Sequence, residues 1–194
     1  HAFNDWNVMP EHSVKVYEHL KERGVPAQVY FHQGGHGGPP PLELMNRWFT
    51  RYLYGVENGV EEDPRAWIVR EEAERSEPTP YPDYPHPESA LVPLYPGSGG
   101  VQQGELRPYP EGGEGVETLV DNFSFDGATL ARAEWTDHRL LYVSPVLADP
   151  LHISGTPRIT LRLSSSEPAA NLSVWLVSLP WTEGREARGG LLTR

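Results

Sequence analysis

Between residues 75 and 89 the chain reads RSEPTPYPDYPHPES, five prolines in fifteen positions. Each proline lacks the N–H that a helix interior or a central strand must donate, so this stretch can only be turns or an extended surface crossing. It belongs to the second of two sequence grammars. Before about residue 61 apolar residues recur at helical spacing or alternate as in a strand. After it, short alternating segments are cut up by proline and glycine. With 20 prolines and 19 glycines in 194 residues, many turns and few long helices are expected beyond the first quarter.

PEHSVKVYEHLKERG, residues 10–24, predicts a helix. Pro10 suits its first turn, and Val16, Tyr17 and Leu20 form its apolar stripe. Lys21 and Arg23 suit the negative end of its dipole, and Gly24 supplies a left-handed stop. VPAQVYFHQ (25–33) predicts a strand, with Val29 and Phe31 alternating against Gln28 and Tyr30. A glycine loop follows, then a second helix in PLELMNRWFTRYLYGV (41–56), whose buried stripe would be Leu42, Met45, Phe49 and Leu53. Turn, helix, strand, loop, helix is the period of a parallel α/β sheet. Further on, RAWIVRE, ALVPLYPGSGG, RLLYVSPVL, PLHISG, PRITLRLSSS and NLSVWLVSLP read as short strands. In PRITLRLSSS, Ile159, Leu161 and Leu163 point one way, while Thr160, Arg162 and Ser164 point the other. The first set, with alternate residues of 172–177, is expected between the two layers of a β-sandwich or barrel. The expected fold class is therefore α/β plus all-β, with α/β over residues 1–60 and β over 61–194.

The charge and the missing residue types exclude several functions. A net charge of −11 argues against nucleic acid, because phosphate binding needs clustered Lys and Arg. No segment approaches the ~20 apolar residues of a membrane span. Nothing at the N-terminus has the basic end and apolar run of a cleavable signal. The chain has no cysteine, hence no disulfide framework and no thiolate chemistry. That absence leaves the compartment open. Neither an HExxH motif nor a carboxylate cluster suggests a metal site. The acidic run VEEDPR (60–65) is most simply a solvated turn. His19 falls on a polar helical face and His32 lies in the strand, so both are expected to be structural.

Two residues stand out against this background. Asp5, in FNDWN, sits in a turn before the first helix, and His36 lies in FHQGGHGG among glycines 34, 35, 37 and 38. Taken alone, Asp5 would be an Asx-turn former and His36 a surface-loop residue. Thirty-one residues separate them, and that interval holds one helix and one strand. In an α/β-hydrolase the triad follows the chain order nucleophile, acid, histidine, with the last two on loops after successive late strands. The glycines let the backbone turn sharply and expose the imidazole. The histidine would move the proton, and the aspartate would hold its tautomer. The nucleophile elbow G-x-S-x-G should precede the acid, yet only four residues stand before Asp5. PGSGG around Ser98 has Pro96 where a glycine belongs and falls after the histidine, so it is a turn. A chain opening on His1 rather than Met fits the expectation of a preceding part.

The segments FNDWNVMPEHS, FHQGGHGG, NRWFTRYLYGV and the block from Arg139 to Pro180 resemble the C-terminal part of Xaa-Pro dipeptidyl-peptidases. These serine hydrolases are related to cocaine esterase, α-amino acid ester hydrolases and glutaryl acylases. The resemblance implies the end of an α/β-hydrolase domain over residues 1–60, followed over 61–194 by a jelly roll of the galactose-binding type. That jelly roll would be incomplete, because the family continues beyond GGLLTR. Asp5 would be the triad acid and His36 the triad base. The serine, the oxyanion donors and the amine subsite would lie before Asp5, leaving this chain inactive alone. The substrate would be a peptide with proline second, cleaved through an acyl-enzyme without metal or organic cofactor. An oligomer is compatible with this. One alternative is an α-amino or aryl ester hydrolase or acylase on the same scaffold. Another is a noncatalytic carbohydrate- or protein-binding β-sandwich, with Trp135, Trp175 and Trp181 as stacking residues. The pairing of Asp5 with His36 argues against the latter.

Overall fold

The computed structural model describes every residue except 6, 72, 113–114, 180–182, 188–189 and 194, and only the backbone of 183–187 and 190–193. It has two compact units, His1–Glu88 with Ser154–Arg194, and Ser89–Ile153.

In the first unit, helix α1 (Pro10–Glu22) begins with Pro10 in its first turn, and Gly24 follows it at φ 67°. Strand β1 (Val29–Phe31) comes next, then helix α2 (Leu42–Tyr54), which ends at Gly55 with φ 70°. A 3₁₀ turn (Val60–Glu62) leads to β2 (Ala66–Ile68) and β3 (Thr79–Tyr81). β1 and β2 are parallel, with Val29 opposite Ala66, and β3 runs antiparallel to β2. Thus α2 is the crossover of a β–α–β unit, as the α/β period predicts. On the other edge of β1, Ala2 forms a parallel bridge with His32. Late in the chain, β7 (Glu183–Ala187) and β8 (Gly190–Thr193) pair antiparallel.

Val14, Tyr17, Phe31, Ala66 and Tyr84 form the core, with Phe3, Ala27, Val29, Ile68 and Tyr81 packed around them. The Phe3 and Phe31 rings stack with centroids 4.9 Å apart. The face of α1 that turns inward differs from the predicted stripe. Val14 and Tyr17 are buried, whereas Val16 is 60 % exposed. β1 also departs from simple alternation, since Tyr30 and Phe31 are both buried. A strand covered on both faces has no solvent side to mark.

The second helix brings a larger correction. None of its residues is buried, and Leu42 and Leu53 are 76 % and 71 % exposed. Its ties run through its polar face. Arg47 makes a two-toothed contact with Asp63 (2.9 Å to each oxygen), and Arg51 bonds to Glu61. VEEDPR is therefore the anchor of α2, with Val60 buried beneath it. Helical spacing tells which residues share a face, but not what covers that face.

Asp83 ties α1 to the proline-rich segment. Its Oδ1 accepts from Tyr17 Oη, Lys21 Nζ and the Tyr84 N–H, each at 2.7 Å. Partial burial opposes ionisation, but the bonds from Lys21, Tyr17 and Tyr84 outweigh it and hold the carboxyl below its usual range. A depressed folded value stabilises the fold above the unfolded pKa, and that stability is lost as pH falls through the folded value. Asp83→Asn should therefore cost about 2 kcal/mol in urea unfolding at neutral pH, the scale of one charge-assisted bond. The gap to the parent protein should narrow below about pH 4. A gap independent of pH would mean that the Asp83 charge contributes nothing.

In the second unit, β4 (Tyr95–Pro96) pairs antiparallel with β5 (Gly104–Arg107), and β5 pairs parallel with β6 (Tyr142–Val143). Helix α3 (Gly127–Arg132) is capped by Asp126, whose Oδ1 accepts from Thr129 N at 2.7 Å. Glu117 accepts from the N–H groups of Gly99 (2.6 Å) and Gly100 (2.8 Å) and from Tyr142 Oη. PGSGG is thus a turn closed on a carboxylate. Gly104 is required where it stands, because a Cβ there would lie 2.6 Å from the Tyr142 ring.

The expected burial of the late segments does not occur. Residues 157–178 form neither helix nor strand. Ile159, Leu161 and Leu163 are 54 %, 48 % and 57 % exposed, and Leu172, Val174 and Leu176 are exposed as well. Alternation sets the side of the backbone on which each side chain stands. A strand also needs a neighbour to accept its hydrogen bonds, and among the described residues no β-ladder includes this segment. Trp135 and Trp175 are exposed, and Trp181 lies outside the described residues.

Candidate active site

The parallel bridge of Ala2 to His32 decides where the two candidate residues meet. Phe3 N donates to His32 O (2.8 Å), and His32 N donates to His1 O (3.1 Å). Two segments running side by side in the same direction leave the sheet at the same end. Asp5 follows Ala2 there, and the glycine loop follows His32. The Asn4 side chain links the two exits, with Nδ2 donating to Gln33 O at 2.8 Å.

Asp5 is buried. Its Oδ1 accepts the N–H groups of Asn7 (2.9 Å) and Val8 (3.0 Å). The turn-forming role and the candidate catalytic position thus coexist in one carboxylate. The Val8 bond is the largest influence lowering its pKa, with burial opposing it and the His36 and Asn7 bonds lowering it further. His36 Nδ1 lies 3.0 Å from Oδ2 and 3.2 Å from Oδ1. Both distances fall in the N–H···O range and slightly beyond the 2.7–2.9 Å expected of a short charge-assisted pair. The His36 side chain is 54 % exposed. With Nδ1 turned to the buried carboxylate, Nε2 is the ring nitrogen left to address a reacting group.

The loop that carries His36 depends on glycine at specific points. Gly37 and Gly38 adopt φ 92° and 109°, a region that L side chains rarely enter. A Cβ on Gly34 would lie 2.7 Å from Arg75 Nη2 and 2.8 Å from His32 Nδ1. Beneath the loop, His32 is fully buried, and its Nδ1 accepts the Gly34 N–H at 3.0 Å. Burial and the neighbouring Arg75 guanidinium hold its imidazole below the usual histidine range. His32 is therefore a neutral support of the loop, consistent with a structural role. Arg75 Nη2 stands 3.4 Å from the same nitrogen.

The sequence reading missed three neighbours of this pair. His1 Nε2 lies 3.3 Å from Asp5 Oδ2, Ser13 Oγ lies 2.8 Å from His1 Nδ1, and Arg75 presses on the loop. Arg75 arrives from beyond β2, a distance in sequence that no local pattern could have signalled. No group of three or more His, Asp or Glu among the described residues could hold a metal ion.

The family model of the X-Pro dipeptidyl-peptidase C-terminal non-catalytic domain matches residues 58–193, and the chain belongs to that family. Among its relatives, a provisionally named Xaa-Pro dipeptidyl-peptidase of Rhodopirellula baltica is 60 % identical over 188 residues, covering 97 % of this chain and 30 % of the relative. A provisionally named Xaa-Pro dipeptidyl-peptidase of Bacillus anthracis is 31 % identical over 91 % of the chain and 30 % of its own length. The Xaa-Pro dipeptidyl-peptidase of Lactobacillus delbrueckii subsp. lactis is 26 % identical over 92 % of the chain and 24 % of its length. The chain thus spans less than a third of these relatives. Asp5 and His36 lie outside the residues matched by the non-catalytic domain model.

Proposed function

We propose that this chain supplies the acid and base of a serine exopeptidase that releases Xaa-Pro dipeptides from peptide N-termini. The observation that carries this reading is the bond from His36 Nδ1 to the buried Asp5 carboxylate at 3.0 Å. Residues 1–60 would close an α/β-hydrolase domain. Residues 61–194 would form a β domain of the jelly-roll type, supported by the family and the short ladders, though 157–178 pair with no strand among the described residues. The nucleophilic serine would come from chain preceding Asp5.

In this scheme His36 Nε2 takes the serine proton as the oxygen attacks the prolyl carbonyl carbon. The imidazolium, steadied by Asp5, then protonates the departing amine as the C–N bond breaks. Water, deprotonated by the same nitrogen, splits the acyl-enzyme and restores the serine. No step requires a metal or an organic cofactor.

The chain by itself has a base without a nucleophile to activate. Incubated with a fluorophosphonate probe, it should show no stoichiometric label by intact mass. A polypeptide extended through the preceding hydrolase segment should label once, upstream of Asp5, and cleave an Ala-Pro amide in preference to an aryl ester. A label on any serine within residues 1–194 would overturn the assignment. Preference for the ester would move the specificity to the esterase branch.

A further inference from the structure

Two imidazoles converge on Asp5. His36 approaches from the exposed side. His1, whose side chain is only 16 % exposed, approaches from behind, with Nε2 3.3 Å from Oδ2 and 2.9 Å from the Val8 carbonyl oxygen. Both partners of that nitrogen are acceptors, so Nε2 must carry a proton. On the other side of the ring, Ser13 Oγ stands 2.8 Å from Nδ1, and with Nε2 protonated the neutral ring accepts the hydroxyl proton there. The two acceptors at Nε2 therefore set the tautomer of His1, Ser13 holds the ring at its other nitrogen, and the His1 edge is what Asp5 Oδ2 meets.

We infer that His1 is a positioning residue for the Asp5–His36 pair, held in its Nε2–H form by the Val8 carbonyl and the Asp5 carboxylate, steadied by Ser13, and acting only through Asp5. Oδ1 is occupied by the N–H groups of Asn7 and Val8, which leaves Oδ2 as the oxygen that faces the two imidazoles. His1 Nε2, whose N–H is bonded to the Val8 carbonyl, packs 3.3 Å from Oδ2, and His36 Nδ1 stands 3.0 Å from the same oxygen. His1 also closes the turn, because its bond to the Val8 carbonyl ties both ends of the segment that carries Asp5. Its main chain is fixed independently of its ring. The nitrogen donates to Tyr30 O at 2.7 Å, and the carbonyl accepts from His32 N at 3.1 Å. Removing the ring therefore leaves the parallel bridge in place.

The test uses the reach of the amide side chains. Glutamine places its Nε2 donor near that of histidine, whereas asparagine reaches only the Nδ1 position. In ¹⁵N spectra of this chain at a pH where the rings are neutral, His1 should be in the Nε2–H form and His36 in the Nδ1–H form. His1→Ala and His1→Asn should shift His36 toward its Nε2–H tautomer, and His1→Gln should restore Nδ1–H. Ser13→Ala should leave His1 in the Nε2–H form, since both acceptors at that nitrogen remain, with the fold intact by circular dichroism; a switch to Nδ1–H would overturn the role given to those acceptors. A His36 tautomer unchanged in folded His1→Ala would overturn the inference.

The kinetic arm rests on the proposed hydrolase activity and uses the extended polypeptide. His1→Ala should lower kcat about 10- to 100-fold, the scale of losing a group that orients a functional residue from behind. KM should be unchanged, with rescue by Gln and not by Asn. Spectral coupling without hydrolysis by any variant would sink the peptidase assignment and leave the role of His1 standing. Hydrolysis indifferent to His1 would do the reverse.

Discussion

Replacing His36 by alanine in the extended polypeptide should lower kcat by about 10⁶-fold, the loss found when a triad base is removed. The size follows from the geometry. His36 Nδ1 is committed to the Asp5 carboxylate at 3.0 Å and the ring is half exposed, so under the proposed function Nε2 would be the proton acceptor. Without it the proposed serine would keep its proton, and the leaving amine would have no acid to protonate it. The fold should be little disturbed, since the exposed ring contributes little burial and the loop is shaped by its glycines and by the buried His32. KM for an Ala-Pro amide should therefore move far less than kcat. Labelling by the fluorophosphonate should slow in step with turnover. A His36→Ala protein that retains more than about a hundredth of its turnover would remove His36 from the catalytic machinery.

Asp5→Asn should lower kcat by about 10⁴-fold while preserving the turn. The asparagine oxygen is drawn to the N–H groups of Asn7 and Val8, which Asp5 Oδ1 accepts at 2.9 and 3.0 Å. Its amide nitrogen then occupies the place of Oδ2 and presents hydrogens to His36 Nδ1. That nitrogen must offer a lone pair, so the His36 proton moves to Nε2, where it blocks acceptance of the serine proton. The same amide faces the His1 Nε2–H, a second mismatch of donor against donor. The ¹⁵N spectrum of this chain alone should show the His36 switch. Loss of activity with His36 still in its Nδ1–H form would point to charge rather than tautomer as the contribution of Asp5. The Val8 and Asn7 bonds and His36 hold the Asp5 carboxyl below its usual range. The carboxylate is thus ionised above about pH 4, and protonation of Asp5 should not set the acid limb of activity above that pH.

Local signals were strongest where one residue type has a single backbone use. Pro10 and Gly24 bound the first helix, and the glycines at 37 and 38 adopt the left-handed values that a sharp loop requires. The spacing of Asp5 and His36 across one helix and one strand also survives in the structure as a direct bond. Periodicity was weaker wherever its meaning depended on a neighbour. It named Leu42, Phe49 and Leu53 as one face of α2, and that face is open. It named Ile159, Leu161 and Leu163 as one side of a strand, and no ladder forms there among the described residues.

What lay in the order of residues was the set of bends, caps and alternations, because these follow from backbone sterics within a few positions. The meeting of distant groups lay elsewhere. The parallel bridge of Ala2 to His32 brings Asp5 to the glycine loop, and Arg75 reaches that loop from beyond β2. Asp83 gathers Tyr17 and Lys21 from more than sixty positions away. The His1 ring turns to Asp5 only because Ser13 and the Val8 carbonyl hold its two nitrogens. Each of these contacts joins groups that a local rule treats as independent. Only the packed sheet and its exits bring them within hydrogen-bonding distance, where direction and distance determine which proton each nitrogen keeps.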